Sequence, residues 1–225
     1  MFIGHYAVAL AAKKAAPNTS LGTLVISVQL VDLLWPIMML LGLEHVRIDP
    51  GNTLVTPLDF YDYPITHSLV GAIGWSVGFG LLYFAIRRYK RGALVLGLGV
   101  FSHWILDLIT HRPDLPLGLG GNVLFGLGLW NSFWGTVVVE LGILVIGLVL
   151  YLQSTSAKDR VGMYGFWGLT ILFVLLYFAN LFGPPPPSAE VIAYAGLGSW
   201  LFVLWAFWVD RHRRSAAVPE RTTRI

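Results

Sequence analysis

The chain has 225 residues, of which 56% are hydrophobic and only 12% charged, with a formal net charge of +3 and a mean hydropathy of +0.70. Soluble domains carry about 25% charged residues, so this chain cannot cover a water-facing surface and is predicted to be an integral membrane protein. The composition argues against disorder, nucleic-acid binding and a soluble α/β enzyme. Because the sequence has no cysteine, disulfides, thiolate metal sites and cysteine nucleophiles are excluded.

The beginning of the sequence predicts a short helix over 2–15. That length is too short to cross a hydrocarbon core of ~30 Å. Lys13 and Lys14 follow the apolar stretch instead of preceding it, which is unlike a secretory signal. The helix either lies on the inner membrane surface or enters the bundle with His5 leading.

Six apolar runs follow, each close to the ~20 residues that a membrane-spanning helix needs. The predicted spans cover 21–43, 65–86, 93–111, 134–152, 163–182 and 190–209. The chain is therefore predicted to be all-α, with about six transmembrane helices and the short N-terminal helix in one membrane-embedded domain over 1–225. Gly74 and Gly78 in the second span permit close helix approach and hence oligomerisation. A polar cytoplasmic tail is predicted over 211–225.

The basic residues predict the orientation of the chain. Of the 15 lysines and arginines, all but Arg47 and Arg112 fall in alternate connections or at the termini. They are Lys13, Lys14, Arg87, Arg88, Lys90, Arg91, Lys158, Arg160, Arg211, Arg213, Arg214, Arg221 and Arg224. The positive-inside rule then places both termini in the cytoplasm, as an even number of spans requires.

Several ionisable residues fall inside the predicted spans, where one charged side chain costs ~2.5–3.5 kcal/mol on insertion scales and needs a reason to be there. They are Asp32, His67, His103, Asp107, His111 and Glu140. His103, Asp107 and His111 stand at i, i+4 and i+8 of one helix, so each lies ~40° from its neighbour on one face. Glu140 is interpreted as an acid bonded to a neighbouring helix.

The residue types in this set are those that bind transition metals. Imidazole and carboxylate suit zinc, manganese or iron where no thiolate is available. His103 and Asp107 on one helix, with His67 from another, would make a three-ligand site with a position left for water. Two other interpretations stay open: His103 and Asp107 form a hydrogen-bonded pair that fixes helix packing, or the cluster is a proton or ion path. The place of His111 at a helix end favours a supporting role over ligation.

Four short motifs come in a recognisable order. They are Gly4-His5, Asp32 with Pro36, Thr66-His67-Ser68, and Ser102-His103-xxx-Asp107-xx-Thr110. This order resembles the bacterial inner-membrane metal-dependent hydrolases of the YdjM-like group, described as LexA-binding and membrane-associated. The resemblance covers residues 1–116, and the three spans of 117–225 carry none of it. It implies a bacterial inner-membrane location and a metal site at His5, Asp32, His67, His103 and Asp107.

The chain departs from the family pattern at two motifs. It reads Asp32-Leu-Leu-Trp-Pro36 where the family has Asp-x-Asp-His-Pro. It reads Asp62-Tyr-Pro-Ile-Thr-His-Ser68 where the family has His-Arg-Gly-x-Thr-His-Ser. Because ligands are lost at both places, the resemblance implies one divalent transition metal, with zinc as the first choice and manganese or iron as alternatives.

These features together predict a metal-dependent hydrolase, whose metal-activated water attacks an ester or phosphodiester of a membrane lipid or lipid-linked substrate. Asp62 or Asp32 is predicted as the general base, and His111 as the group that stabilises the leaving group or orients a ligand. One alternative is a proton- or ion-coupled transporter, although the chain shows no internal repeat and no matched pair of broken helices. Another is a scaffold whose buried polar residues only hold helices together.

Overall fold

The structure, a computed structural model, describes residues 1–120 and 123–216, so that the predicted tail from 217 onward lies outside the described residues. The helices are α1 (Ile3–Ala15), α2 (Leu21–Leu40), α3 (Pro64–His67), α4 (Leu69–Arg87), α5 (Lys90–Thr110), α6 (Phe133–Ser154), α7 (Arg160–Phe182), α8 (Ala189–Leu197) and α9 (Ser199–Arg211). Helices α2, α4, α5, α6 and α7, together with the consecutive pair α8 and α9, are each long and apolar enough to cross a membrane. The prediction of six candidate spans is confirmed.

Two predicted spans are interrupted by short breaks. Ser68 has an extended backbone and its hydroxyl accepts a hydrogen bond from the Gly71 N–H, so the segment before it forms the separate turn α3. The last span bends at Gly198 between α8 and α9. Side chains that accept a first-turn N–H also begin other helices, as Ser20 does for α2 and Ser132 for α6.

Short two-stranded pairs lie between or beyond the helices and qualify the all-α prediction. The paired strands are β1 (His45–Ile48) with β2 (Leu58–Asp62), β3 (Leu115–Pro116) with β4 (Leu124–Phe125), and β5 (Thr155–Ala157) with β6 (Arg213–Ser215). All three pairs are antiparallel. Connections at a membrane boundary still need partners for their N–H and C=O groups, and short ladders provide them.

The two ends of the bundle differ in charge. At one end Lys13 Nζ contacts Asp210 Oδ1 at 2.8 Å, the hydroxyl of Ser215 donates to the Pro17 carbonyl, and the α4–α5 turn brings Arg88 and Lys90. We call this the basic end. The β1–β2 hairpin lies at the opposite end, which we call the hairpin end. The basic residues that the sequence analysis assigned to one side therefore lie at one end of the bundle, opposite the hairpin end.

Helix α1 enters the bundle, which decides between the two placements left open by the sequence. It packs against α2, α5 and α6, and the side chains of Ile3, His5 and Ala9 are fully buried. Gly147 of α6 allows this close approach, because an added Cβ would lie 2.4 Å from the Ala7 carbonyl oxygen. With a rise of ~1.5 Å per residue, α1 reaches from the basic end only to about the middle of the bundle.

The buried start of α1 needs partners for its free N–H groups, since neither lipid nor water can supply them there. Glu140 of α6 supplies them: its Oε2 accepts from the Phe2 N–H at 3.0 Å and from the Gly4 N–H at 3.1 Å. A carboxylate at a helix N-terminus also complements the helix dipole. Glu140 is thus bonded to a neighbouring helix, as the sequence indicated, and it fixes the depth of α1.

Candidate metal centre

Five ionisable residues from four helices meet in the half of the bundle nearer the hairpin end. They are His5 of α1, Asp32 of α2, His67 of α3, and His103 and Asp107 of α5. The side chains of the three histidines and of Asp107 are buried, whereas that of Asp32 is 35% exposed. The structure therefore brings together every residue that was predicted as a metal ligand.

Three of these side chains form a compact triad. His67 Nε2 lies 3.3 Å and His103 Nε2 lies 3.4 Å from Asp32 Oδ1, and all three ligand atoms lie within 4.8 Å of one another. Ligands at ~2.0–2.2 Å from a tetrahedral zinc ion stand about 3.3–3.6 Å apart. The two measured spacings match that requirement, so a metal fits without a large rearrangement.

Hydrogen bonds fix the tautomer of two histidines in the form that a metal needs. His103 Nδ1–H donates to the Val28 carbonyl at 2.7 Å. His67 Nδ1–H donates to Thr66 Oγ1 at 2.7 Å, because the Thr66 hydroxyl itself donates to Glu44 Oε2 at 2.7 Å. Each arrangement puts a proton on Nδ1 and leaves Nε2 facing the cluster, where a neutral ring could bind a metal; His67 Nε2 also lies within hydrogen-bond distance of Asp32 Oδ1, at 3.3 Å. This outer support is what metal-ligating histidines usually have.

The surroundings of the His103 ring also fit a bound cation. Its Nε2 is buried and has no hydrogen-bond partner among the described residues, although Asp107 Oδ2 lies only 3.1 Å away. A buried nitrogen close to two carboxylates but aligned with neither of them is explained if all three converge on one ion. The donor set of imidazole and carboxylate also fits zinc, manganese or iron.

Asp107 is held from its other side by α1. The Met1 amino group contacts Asp107 Oδ1 at 2.5 Å, and His5 Nε2–H donates to the same oxygen at 3.1 Å. The His5 ring also stacks on His103, with centroids 3.7 Å apart. His5, His103 and Asp107 form a second group that could hold a metal ion. Because His5 Nε2–H already donates to Asp107, this geometry favours His5 as the residue that orients Asp107. His5 Nδ1 has no partner among the described residues.

His111 stands beside the cluster with a partner that sequence reasoning missed. Its Nδ1–H donates to Asp114 Oδ1 at 2.9 Å, and its Nε2 lies 4.0 Å from Asp107 Oδ1. The Tyr63 hydroxyl also donates to Asp114, at 3.0 Å. Burial, reinforced by the negative charge of Asp114, raises the pKa of Tyr63 well above its usual range, so it stays a donor. The i, i+3 spacing from His111 to Asp114 was the available signal.

Asp62 is the one predicted site residue that the structure does not bring to the cluster. It pairs across the β1–β2 hairpin with His45, whose Nδ1 lies 2.8 Å from Asp62 Oδ2. Both side chains are close to half exposed. The strand register fixes this position, because it sets Asp62 opposite His45 at the hairpin end. Asp32 is therefore the carboxylate left for the role of general base.

A large cavity adjoins the cluster. Its volume is about 620 Å³. We call it the chamber, and the residues of the cluster that line it are Asp32, His67 and Asp107, with His111 beside them. Apolar residues of α7, α8 and α9 form the wall away from the cluster.

Comparison of the chain with protein-family models, curated proteins and solved structures finds no match. The metal centre is thus inferred from the geometry of its own side chains.

Replacing Thr66 with valine is expected to weaken metal binding without abolishing it. The change removes the hydroxyl that links His67 to Glu44, and loss of such support costs about 10–100-fold in metal affinity. Titration of the purified protein against a competing chelator measures the effect. Thr170→Val is the matched control, because the Thr170 hydroxyl donates to the Phe166 carbonyl of its own helix and, within 1–120 and 123–216, to no residue of the cluster. Equal metal affinities in the two variants would show that Thr66 does not support metal binding by His67.

Proposed function

We propose that the chain is a membrane-embedded, metal-dependent hydrolase that acts on an ester or phosphodiester of a membrane lipid or lipid-linked substrate. The observation that carries the proposal is the triad of Asp32, His67 and His103, of which Asp32 and His67 line the chamber. Zinc is the proposed metal, and manganese or iron would suit the same ligands. The order of motifs shared with the YdjM-like group supports the same assignment.

The location is part of the proposal. The basic end is proposed to face the cytoplasm of a bacterium, with the chain in the inner membrane and both termini inside, by the positive-inside rule. The cluster then lies in the outer half of the bilayer. A site at that depth meets lipids and lipid-linked molecules more readily than soluble metabolites.

The residues of the site divide the chemistry among them. A divalent metal, when bound, lowers the pKa of a coordinated water and polarises the scissile bond. His67 and His103 would hold it, with Asp32 and Asp107 supplying carboxylate oxygens. Asp32 is the more exposed of the two carboxylates and lines the chamber, so it can accept the proton of a water there. His111 Nε2, with Asp114 on its other nitrogen, can hand a proton to the leaving oxygen.

A panel of fluorogenic lipids tests the proposal. Purified protein in lipid nanodiscs, loaded with zinc or manganese, is expected to hydrolyse an ester or phosphodiester lipid, and removal of metal by a chelator should abolish turnover. His111→Asn is expected to lower turnover by about 10²–10⁴-fold, the usual contribution of a general acid or base, with metal content unchanged. His45→Ala is the control, because His45 lies on the hairpin and pairs with Asp62.

Two results would contradict the proposal. A metal-loaded, monodisperse protein that hydrolyses neither ester nor phosphodiester lipids would remove the enzymatic assignment. Metal-dependent ion flux in sealed vesicles, lost in His103→Ala, would favour the transporter instead.

A further inference from the structure

The chamber is lined about equally by the part of the chain that the sequence motifs cover and by the part that they do not. Its walls include Leu176 and Tyr177 of α7, Ile192 of α8, and Leu201 and Phe202 of α9. The ionisable side chains among its lining residues belong to the cluster or to neighbouring Glu140 and His111. The chamber therefore has a charged end at the cluster and an uncharged remainder. Its volume of about 620 Å³ is in the range of pockets that enclose a small organic ligand.

The chamber also reaches the side of the bundle. Among its lining residues, Asn180, Ala195 and Leu201 are exposed, and Leu201 is 66% exposed. Helix α7 packs on α9 but makes little contact with α8, and the connection between α7 and α8 contains Pro184–Pro187, which cannot continue either helix. Because α7, α8 and α9 belong to candidate spans, the gap between α7 and α8 would face hydrocarbon if the chain is inserted as proposed above.

The residues that line the chamber also include polar side chains. Gln29 Oε1, Trp35 Nε1 and the Tyr177 hydroxyl are buried and have no hydrogen-bond partner within the described part of the chain, and all three residues line the chamber. Buried polar atoms are costly to leave unpaired. These positions favour a ligand that brings a polar group as well as an apolar chain.

We propose that the chamber binds one hydrocarbon chain of a membrane amphiphile, which enters between α7 and α8 and carries its polar linkage to the cluster. As a statement about substrate, this rests on the proposed hydrolase, but binding of the chain itself requires no metal. The uncharged walls, the opening between α7 and α8 and the charged end at the cluster agree in selecting an amphiphile. A peptide would need more partners for its backbone groups than the few polar atoms of these walls offer.

Photolabelling tests the site directly. Protein in lipid nanodiscs is incubated with a long-chain fatty acid that carries a mid-chain diazirine, irradiated, and digested for mass spectrometry. We expect labelled peptides from the chamber-facing side of α7 and α8. The experiment is repeated on metal-free His103→Ala, and the labelling should persist there because the chain site lies beyond the cluster.

Two pairs of variants separate the chamber from the lipid-facing surface. Leu176→Trp on α7 and Ile192→Phe on α8 each enlarge a side chain that lines the chamber. Their controls, Leu175→Trp and Val191→Phe, change adjacent residues that are exposed on the outside of the bundle. Each filling variant is expected to reduce chamber labelling about tenfold, the factor that follows from a loss of ~1.4 kcal/mol of binding free energy. The controls are expected to label as the parent chain does. A monodisperse profile in detergent shows that each variant is folded, whether or not the chain holds a metal.

The outcomes distinguish the two proposals. Equal labelling in filling and control variants, or label only at outward positions such as Leu175 and Leu204, would mean ordinary lipid contact and would overturn the chamber site. Chamber labelling without hydrolysis of any lipid would overturn the hydrolase and leave the chain site standing. Hydrolysis of short-chain esters that is unaffected by Leu176→Trp, together with an unlabelled chamber, would keep the enzyme and remove the chain site.

Discussion

Replacing His103 with alanine is expected to reduce bound metal from about one ion per chain to background, because one zinc ion needs three or four protein ligands. His103 is common to both groups that could hold an ion, so neither group survives its removal. The same change removes the hydrogen bond that the Val28 carbonyl of α2 accepts from the ring, at a cost of about 0.5–1.5 kcal/mol in the free energy of unfolding. The variant should therefore remain folded, with a lower melting temperature.

Metal content is measured by plasma mass spectrometry on monodisperse protein in detergent, with His67→Ala beside it. His67→Ala is expected to lose the metal as well, since His67 belongs to the better supported triad. His45→Ala, a change of the same chemistry on the exposed hairpin, should keep its metal. The assignment of a metal centre would be wrong if the parent chain binds no ion after zinc or manganese has been supplied. It would also be wrong if His103→Ala binds as much metal as the parent. The cluster would then be a proton path or a structural network.

Replacing Glu140 with leucine is expected to cause the largest loss of stability. The N–H groups of Phe2 and Gly4 would both lose their acceptor in the middle of the bundle. Each buried donor left unpaired costs about 1–3 kcal/mol, so the free energy of unfolding should fall by about 2–6 kcal/mol. Glu140→Gln retains an amide oxygen that can accept, and its loss should be smaller.

Thermal unfolding in detergent, followed by tryptophan fluorescence, checks this order. Glu190→Gln provides the comparison for Glu140→Gln, because Glu190 lies in the exposed first turn of α8. We expect the melting temperatures to rank parent and Glu190→Gln highest, Glu140→Gln next and Glu140→Leu lowest. A Glu140→Leu protein as stable as its parent would show that α1 does not depend on this acceptor.

The sequence alone was sufficient for the spans and for most of the cluster. Apolar runs and their breaks are local properties, so hydropathy predicted six spans that the structure contains as candidates. The cluster was predictable because charge in lipid is costly, which makes Asp32 and Asp107 conspicuous, and because i, i+4 spacing puts His103 and Asp107 on one face.

What the sequence could not provide depends on contacts between distant segments. Glu44 follows the first span and contacts Thr66 only after the hairpin has folded back, and strand register is what separates Asp62 from the cluster. The chamber is formed where α7, α8 and α9 face α1, α2 and the loops of the hairpin end, and the hydrophobic sequences of these helices resemble those of any other apolar helix. Its shape comes from breaks such as Gly198 and from the weak contact between α7 and α8.

The position of α1 has a consequence for how the protein is made. Its most extensive packing is against α6, which is synthesised more than a hundred residues later. Until α6 has been synthesised, the N–H groups at the start of α1 lack the Glu140 carboxylate as an acceptor, and α1 lacks the close packing surface at Gly147. Docking of α1 is therefore a late step of biogenesis, and a ribosome-bound chain that ends after α5 would hold Asp107 without its partner His5. The protein acquires its complete cluster only once most of its spans have been inserted.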